Sequence, residues 1–389
     1  MRKLSAPITP NRGSEMKTEH DTLGDMSRMR AAIDNSDMDA IVIVSPENLR
    51  YAADVQFTSQ LKIRDRLTFI VWAKEKDPVM VVCQVWEALV RRSSWITDLR
   101  TYREFQDSAV SMVAGVLAEM GLEKGRIGYE GEYLAGRYCD EMRAALPNAK
   151  ITECDDLLAR VRMFKTPPEV NLLRGAYNGT ANALLAAWSN VSEGQTERDV
   201  SRRLANGILA SGAGSVAAMV MGAGENTGLH AEASSYRIQQ GDIMKSDCGG
   251  LYEGYFSNIG RTAKLGALND QDRSIWTRLR EIQHELIDML RPGNTGQEVF
   301  HACARLHAER DLPFPFGHNG HSVGLMIHER PIIGPHETIP YEAGMVSTVE
   351  TRVRWPGKIG YHMEDLFLIT ENGPELLSTA FDNEEIRVV

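Results

Sequence analysis

An α/β domain followed by an α+β domain is the architecture that this 389-residue sequence predicts. Three observations point to it. The chain is longer than one ordinary hydrophobic core fills. Its first third alternates helix-period stretches with short apolar runs, the pattern of strands covered by helices. Beyond Lys165 its acids and histidines fall inside strand-like runs rather than in loops. Hydrophobic residues at 43% and charged residues at 25% suit a soluble globular chain. A net charge of −10 argues against a nucleic-acid or anionic-membrane partner. No run reaches the roughly 18 apolar residues of a membrane span. The N-terminus, MRKLSAPITPNRGSEMKTEH, lacks the apolar core of a secretory signal and is expected to form an arm over 1–23. Cys83, Cys139, Cys154, Cys248 and Cys303 include no CxxC pair, which suggests reduced thiols and a cytoplasmic protein.

The first domain is expected over 24–160. SRMRAAIDNSD reads as a short helix and DAIVIVSP as a buried strand, with LTFIVW and PVMVVC as two more. DSAVSMVAGVLAEMGL has apolar positions at helical spacing and stops at Gly121; RIGYEG returns to strand. The second domain is expected over 161–389. Pro167 and Pro168 open a long helix with Glu169 in its first turn. Thr196 and Asp199 have capping-box spacing ahead of another. Strands are expected around Val216–Met221, Asp242–Asp247 and Tyr255–Thr262. Helices follow near Asp272–Leu290 and Thr295–Glu309, then the strands MVSTVETRV and HMEDLFLIT.

The chemistry-bearing residues stand in this second half. Asp247 ends the apolar strand DIMKSD, Glu350 lies in MVSTVETRV and Glu364 in HMEDLFLIT. A carboxylate in such a strand is costly unless it meets a cation or several donors. His321 and His328 flank a Gly-containing apolar segment, and His230 lies 17 residues before Asp247. Singly, each has a plain structural reading, as a hydrogen-bonded core histidine or an edge carboxylate. GAGENTG, at 222–228, reads as turn chemistry rather than a dinucleotide loop, because no strand–turn–helix unit surrounds it. Cys248 reads as a core filler with nothing nearby to activate it.

Together, in this order, the residues resemble the creatinase/prolidase/aminopeptidase P family. The pattern D-x-G-x-x-x-x-G-Y-x-x-D-I-x-R-T is matched by Asp247, Gly249, Gly254, Tyr255, Ile259, Arg261 and Thr262. H-x-x-G-L-x-x-H-E-x-P is matched by His321, Gly324, Leu325, His328, Glu329 and Pro331, and G-M-V-x-T-V-E by Gly344 to Glu350. Glu364 and Asp365 match the terminal E-D strand, and KTPPEVNLLRGA the segment that opens the family's catalytic domain. The resemblance implies a creatinase-like α/β N-terminal domain and an α+β "pita-bread" catalytic domain. It implies a metal site drawn from Asp247, the residue at 258, His321, Glu350 and Glu364. His230 and His328 would stand beside substrate, and Glu350 would move a proton.

Two departures qualify this. Position 258, where the peptidases carry a bridging Asp, is Asn258, so the carboxylates fall to Asp247, Glu350 and Glu364. An amide oxygen can coordinate a hard cation but brings no charge. One divalent metal per subunit (Mn, Zn, Fe or Co) or none is therefore expected. His362 stands where the aminopeptidase P branch has an Arg, and is expected to touch substrate. The resemblance also implies a homodimer with its active site at or near the subunit interface. Arg64 and Arg66 are then expected to bind the carboxylate of a small-molecule substrate. The expected function is hydrolysis of a C–N bond in a small molecule, creatinase-like or Xaa-Pro dipeptidase-like, with an altered metal site. The alternatives are an ordinary metal-dependent Xaa-Pro peptidase, a lyase of a sulfonium or carboxylate compound, and a non-catalytic pita-bread binding protein.

Overall fold

The computed structural model describes residues 17–57, 60 and 62–389. Most of the expected N-terminal arm, 1–16, lies outside these residues; of the rest, Glu19–Asp21 makes a single 3-10 turn. Two compact units divide between Cys154 and Asp155. That is earlier than the expected junction at 160, because the helix that begins at Asp155 belongs with the second unit.

The first unit runs α1 (Met26–Asn35), β1 (Ala40–Ile43), α2 (Pro46–Ala53), β2 (Phe69–Ala73), β3 (Val79–Cys83), α3 (Glu87–Ser93), β4 (Asp98–Tyr102), α4 (Ala109–Glu119), β5 (Arg126–Tyr129), α5 (Gly136–Ala145) and β6 (Lys150–Glu153). Its strands form one six-stranded sheet in the order β4-β3-β2-β1-β5-β6. β1 is antiparallel to β2 but parallel to β5. β1, β2 and β3 are buried along their whole length, as their unbroken apolar sequences require. A buried carboxylate closes this unit's polar accounts. Glu130 accepts from the backbone N–H of Val44, from that of Ser45 at 2.8 Å and from the Asn48 amide at 2.5 Å.

The second unit runs α6 (Asp155–Met163), α7 (Pro167–Trp188), α8 (Glu197–Ala210), β7 (Ser215–Ala223), β8 (Ile243–Tyr252), β9 (Tyr255–Phe256), β10 (Ile259–Lys264), α9 (Asp270–Asp288), α10 (Gly296–Glu309), β11 (His321–Ser322), β12 (Glu329–Ile332), β13 (Val346–Trp355), β14 (Ile359–Thr370), β15 (Gly373–Leu376) and β16 (Arg387–Val388). A capping box starts α8 at Thr196, as the sequence predicts, and α7 starts at Pro167 as expected, with a further capping box at Thr166. One sheet has the order β16-β10-β8-β7, with β9 against β8; another is β13-β14-β15; β11 and β12 pair by themselves. Two apolar clusters fill the unit. One joins α9 and α10 to β13 and β14, and the other joins α7 and α8 to β7, β8 and β10. No helix among the described residues is long and apolar enough to cross a membrane.

Candidate active site

The site is built on the β13–β14 pair. Side chains alternate across a strand, so Val349 and Val353 enter the apolar cluster while Glu350, Arg352 and Arg354 share the opposite face. In register, Glu350 stands opposite Glu364 and Arg352 opposite His362. Two carboxylates directly across a ladder repel each other, and these are 3% and 0% exposed. Such a pair persists only where positive charge compensates it.

Positive charge can arrive from two sides. On the first, His321 Nε2 lies 3.6 Å from Glu350 Oε1 and 3.6 Å from Glu364 Oε1. Two ligands each ~2.1 Å from one ion at a tetrahedral angle stand roughly 3.4 Å apart. The three side chains form the one candidate metal group among the described residues. His321 Nδ1 bonds the Ser322 carbonyl at 2.9 Å, which leaves Nε2 as the lone-pair atom, buried and without a partner. The buried Asn258 Oδ1 is also unpartnered. A single ion of borderline or hard character suits this donor set.

On the second side the compensation is built from protein. The Arg352 guanidinium pairs with Glu350 Oε2, and His362 Nε2 lies 3.5 Å from the same oxygen. His362 Nδ1 is 4.0 Å from Asp247 Oδ2. The ring of His362 lies against Gly260, where a Cβ would come within 2.7 Å of it. Thr262 Oγ1 fixes the His362 backbone at 2.9 Å. Asn258 Nδ2 donates to both oxygens of Glu364 at 3.0 Å each. The amide therefore meets Glu364 as a donor, where a carboxylate would repel it.

These surroundings set the charges. Burial alone would raise the Glu350 carboxyl, but the Arg352 charge, with His318 and His362 beside it, holds it well below the usual range. Burial and the neighbouring Glu350 and Asp247 charges push Glu364 well above its ordinary value. Burial lowers His321 to about 4 and also lowers His362, so both imidazoles are neutral near pH 7.

The remaining expected residues fall into three groups. His328 is exposed, with its ring centroid 4.2 Å from that of His321. His230 is exposed and lies beside Arg354. Arg66 pairs within its own unit with Glu104, at 2.8 and 2.9 Å. Arg64 is exposed. Residues 224–228 form a 3-10 turn. Cys248 is a buried core residue whose thiol burial pushes up to about 12.

Sequence reasoning missed four residues. His318 Nε2 stands 3.4 Å from Glu350 Oε1. Lys245 donates to the carbonyls of Thr227 and Leu229 at 2.5 and 2.6 Å, on the approach to His230, and burial lowers its amine to about 7. Arg352 and Arg354 follow Glu350 at period two. Counting alternate positions along MVSTVETRVRW would have found both arginines.

A creatinase-like α/β unit and a pita-bread unit that offers two glutamates and a histidine to one ion define a metallohydrolase-type fold. The model of metallopeptidase family M24 matches residues 171–371, and that of the creatinase/prolidase N-terminal domain matches 26–164. The chain belongs to the M24 family. It is 33% identical to an Xaa-Pro dipeptidase of Pyrococcus furiosus over 58% of this chain and 65% of that protein, slightly under two thirds of the relative's length. It is 24% identical to a creatinase from a Bacillus species over 95% of this chain and 92% of that one. The prolidase structure from Pyrococcus horikoshii superposes with a TM-score of 0.81 at 25% identity, covering 92% of this chain and 99% of that one. An Xaa-Pro dipeptidase from Bacillus anthracis gives 0.84 at 24% identity, over 94% and 99%.

Proposed function

We propose that this chain hydrolyses a C–N bond in a small molecule, with a metal site altered to hold one divalent ion rather than two. One observation carries the reading: the two oxygens of Glu350 face different cations. Oε1 faces His321 and the candidate ion position, while Oε2 is taken by Arg352, with His362 Nε2 3.5 Å away. His321, Glu350 and Glu364 would hold the ion, with the Asn258 oxygen as an uncharged fourth donor. When bound, the ion supplies Lewis-acid polarisation of the scissile group and a lowered pKa for water.

The chain's own side chains do the rest. Glu350, kept ionised by Arg352, takes a proton from the attacking water. Attack on the carbonyl or amidine carbon forms the new C–O bond. As the C–N bond breaks, the proton that Glu350 took passes to the departing nitrogen, relayed through His230 or His328, the two exposed imidazoles of the group. The neutral His362 ring lies between Asp247, 4.0 Å away, and Glu350, 3.5 Å away, and steadies Glu350.

The resemblance to named Xaa-Pro dipeptidases favours an imidodipeptide as substrate, and the creatinase match over most of the chain favours a guanidino compound. The buried His321, Glu350 and Glu364 speak against a non-catalytic module, because nothing repays their burial there. The homodimer and the cytoplasmic location belong to the same proposal. For the latter, five buried cysteines free of disulfides are the support.

The test is elemental analysis of purified protein, before and after Mn²⁺ supplementation, alongside hydrolysis of Ala-Pro and of creatine. Close to one ion per chain with turnover of either compound is expected. Two ions per chain would overturn the altered site, and no C–N hydrolysis across dipeptides and guanidino compounds would overturn the chemistry. Asn258→Asp is expected to raise the stoichiometry towards two.

A further inference from the structure

We propose that Glu197 is a positioning residue for His230, stapling both ends of the loop that carries this imidazole; this rests on the C–N hydrolase reading above, with His230 as the relay. The Glu197 carboxylate is buried and stands in the first turn of α8. Its Oε1 accepts from the backbone N–H of Ala223 at 2.7 Å and from Asn226 Nδ2 at 3.1 Å. Its Oε2 accepts from the backbone N–H of Ser234 at 2.7 Å. Ala223 ends β7, Ser234 lies beyond His230, and the imidazole is carried between them. A buried carboxylate ordinarily pairs with a cation. Asp272, Glu329 and Asp365 do so, with Lys264, Lys165 and Arg261. Glu197 forms no ion pair among the described residues and gives its hydrogen bonds to the loop.

The middle of the loop has anchors of its own. Lys245, from β8, donates to the carbonyls of Thr227 and Leu229. Thr227 Oγ1 accepts from the Gly360 N–H at 2.8 Å and donates to the Gly224 carbonyl at 2.6 Å. The run GAGENTG is the near half of this loop, and close packing explains its outer glycines. A Cβ at Gly222 would come within 2.7 Å of the Asn226 carbonyl oxygen, and one at Gly228 within 2.9 Å of that of Trp355. Past His230 the chain doubles back along β7: the Met221 N–H donates to the Ala231 carbonyl at 3.3 Å, and Glu232 bridges Val220. His230 is exposed at the turn, its Nδ1 3.4 Å from Arg354 Nη2, and the Arg354 guanidinium carbon lies 5.4 Å from the Phe316 ring centroid. An arginine only donates, so Nδ1 accepts and the ring proton belongs on Nε2.

A proton relay acts only within hydrogen-bond reach of the atoms it serves, and a misplacement of about 1 Å costs rate. An exposed imidazole on a loop has little packing to hold it, so its place is set by the backbone on either side. One carboxylate on a helix clips both sides and fixes the span between them. Glutamate is the side chain this requires, because two oxygens accept from three N–H donors at once. Glutamine would turn an NH2 group towards one of those N–H groups and release that end. Aspartate is a methylene shorter and would reach one end but not both.

The experiment is a double-mutant cycle of Glu197→Gln with His230→Ala, in the metal-loaded protein, on whichever of Ala-Pro and creatine is turned over. Glu197→Gln alone is expected to lower kcat by about 10- to 100-fold with KM little changed. Glu197→Asp should recover part of the loss. In the His230→Ala background, Glu197→Gln should lower kcat no further. Hydrogen exchange read by mass spectrometry follows the loop itself. Amides of 223–234 should exchange about 10-fold faster or more in Glu197→Gln, with metal content and the exchange of β13 and β14 unchanged. Additive losses in the cycle, an unchanged kcat, or loosening that spreads through the whole unit overturns the positioning role. Should Glu197→Gln fail to fold, Asn226→Ala removes one of the three donors. The same cycle is then expected to show a fall of about 2- to 5-fold that vanishes without His230, and no fall or an additive one overturns the role equally. Failure of the hydrolase reading would appear separately, as no turnover by the unaltered protein while loop exchange still depends on Glu197.

Discussion

In the first unit the buried polar side chains have partners. Glu130 accepts from three donors, and Gln60 bonds the Val44 carbonyl at 2.6 Å and the Thr68 N–H at 3.2 Å. Thr68 Oγ1 is the sole buried side-chain polar atom without a partner among the described residues there. In the second unit such atoms are many, and they gather around Glu350: Asn258 Oδ1, His321 Nε2, both ring nitrogens of His362, both amide atoms of Asn319, and the Nε of Arg352 and of Arg354. Unmade hydrogen bonds cost free energy. Those of Arg352, Arg354 and His362 lie on β13 and β14, and those of Asn258, Asn319 and His321 on segments that reach the same site, the pattern expected where a site meets something that is not protein. The first unit, by contrast, is finished by folding alone.

The sharpest way to break that comparison is Glu350→Gln. On the function proposed above this removes the proton carrier and an ion-holding oxygen, and turnover should fall by about 10³-fold or more. Steady-state kinetics and metal content check this together, and near-normal turnover would mean that the unmatched atoms have no catalytic meaning. Next in size is Glu329→Gln, which removes the shared partner of Lys165, at 2.7 Å, and Arg162, at 3.3 Å. Stranding buried cations should cost about 3–5 kcal/mol in urea unfolding. Burial would raise the Glu329 carboxyl, but Lys165 and Arg162 hold it below its usual value. Its contribution is thus full above about pH 4.5 and fades as the pH falls through the lowered value, so variant and parent should converge in acid.

Glu130→Gln tests the finished unit. The amide cannot accept from all three donors as the carboxylate does, so about 1–3 kcal/mol of stability should be lost. Metal stoichiometry should not change; a drop in bound metal would blur the division drawn here. Smallest is Thr68→Val, which removes the lone unpartnered hydroxyl and should be neutral or stabilising by up to about 1 kcal/mol. A clear loss in thermal melts would show that this hydroxyl has a partner after all.

How much of this was legible in the sequence depended on whether a residue's partner was near in the chain. Capping boxes at Thr166 and Thr196 involve partners three residues away, and both helices start where the sequence places them. Glu350 and Glu364 stood out because a carboxylate inside an apolar strand is conspicuous. Arg352 and Arg354 did not, because a basic residue near a strand's end reads as solvent-facing until the opposite strand and Phe316 are known. The Arg66–Glu104 pair was not legible for the same reason: the two lie 38 positions apart. The two-residue strands β9, β11 and β16 carry too little periodicity to be read at all.

The alternation along β13 has a last consequence, for descent. Glu350, Arg352, which pairs with its far oxygen, and Arg354 all hang from one strand at spacings of two. An insertion or deletion of one residue before Glu350 would turn all three into the core together and bring Val349 and Val353 out. The three charged positions are thus inherited as a single block. A lineage, or an engineer, can retune them by substitution at 352 and 354 but cannot shift one along the strand and leave the other in place.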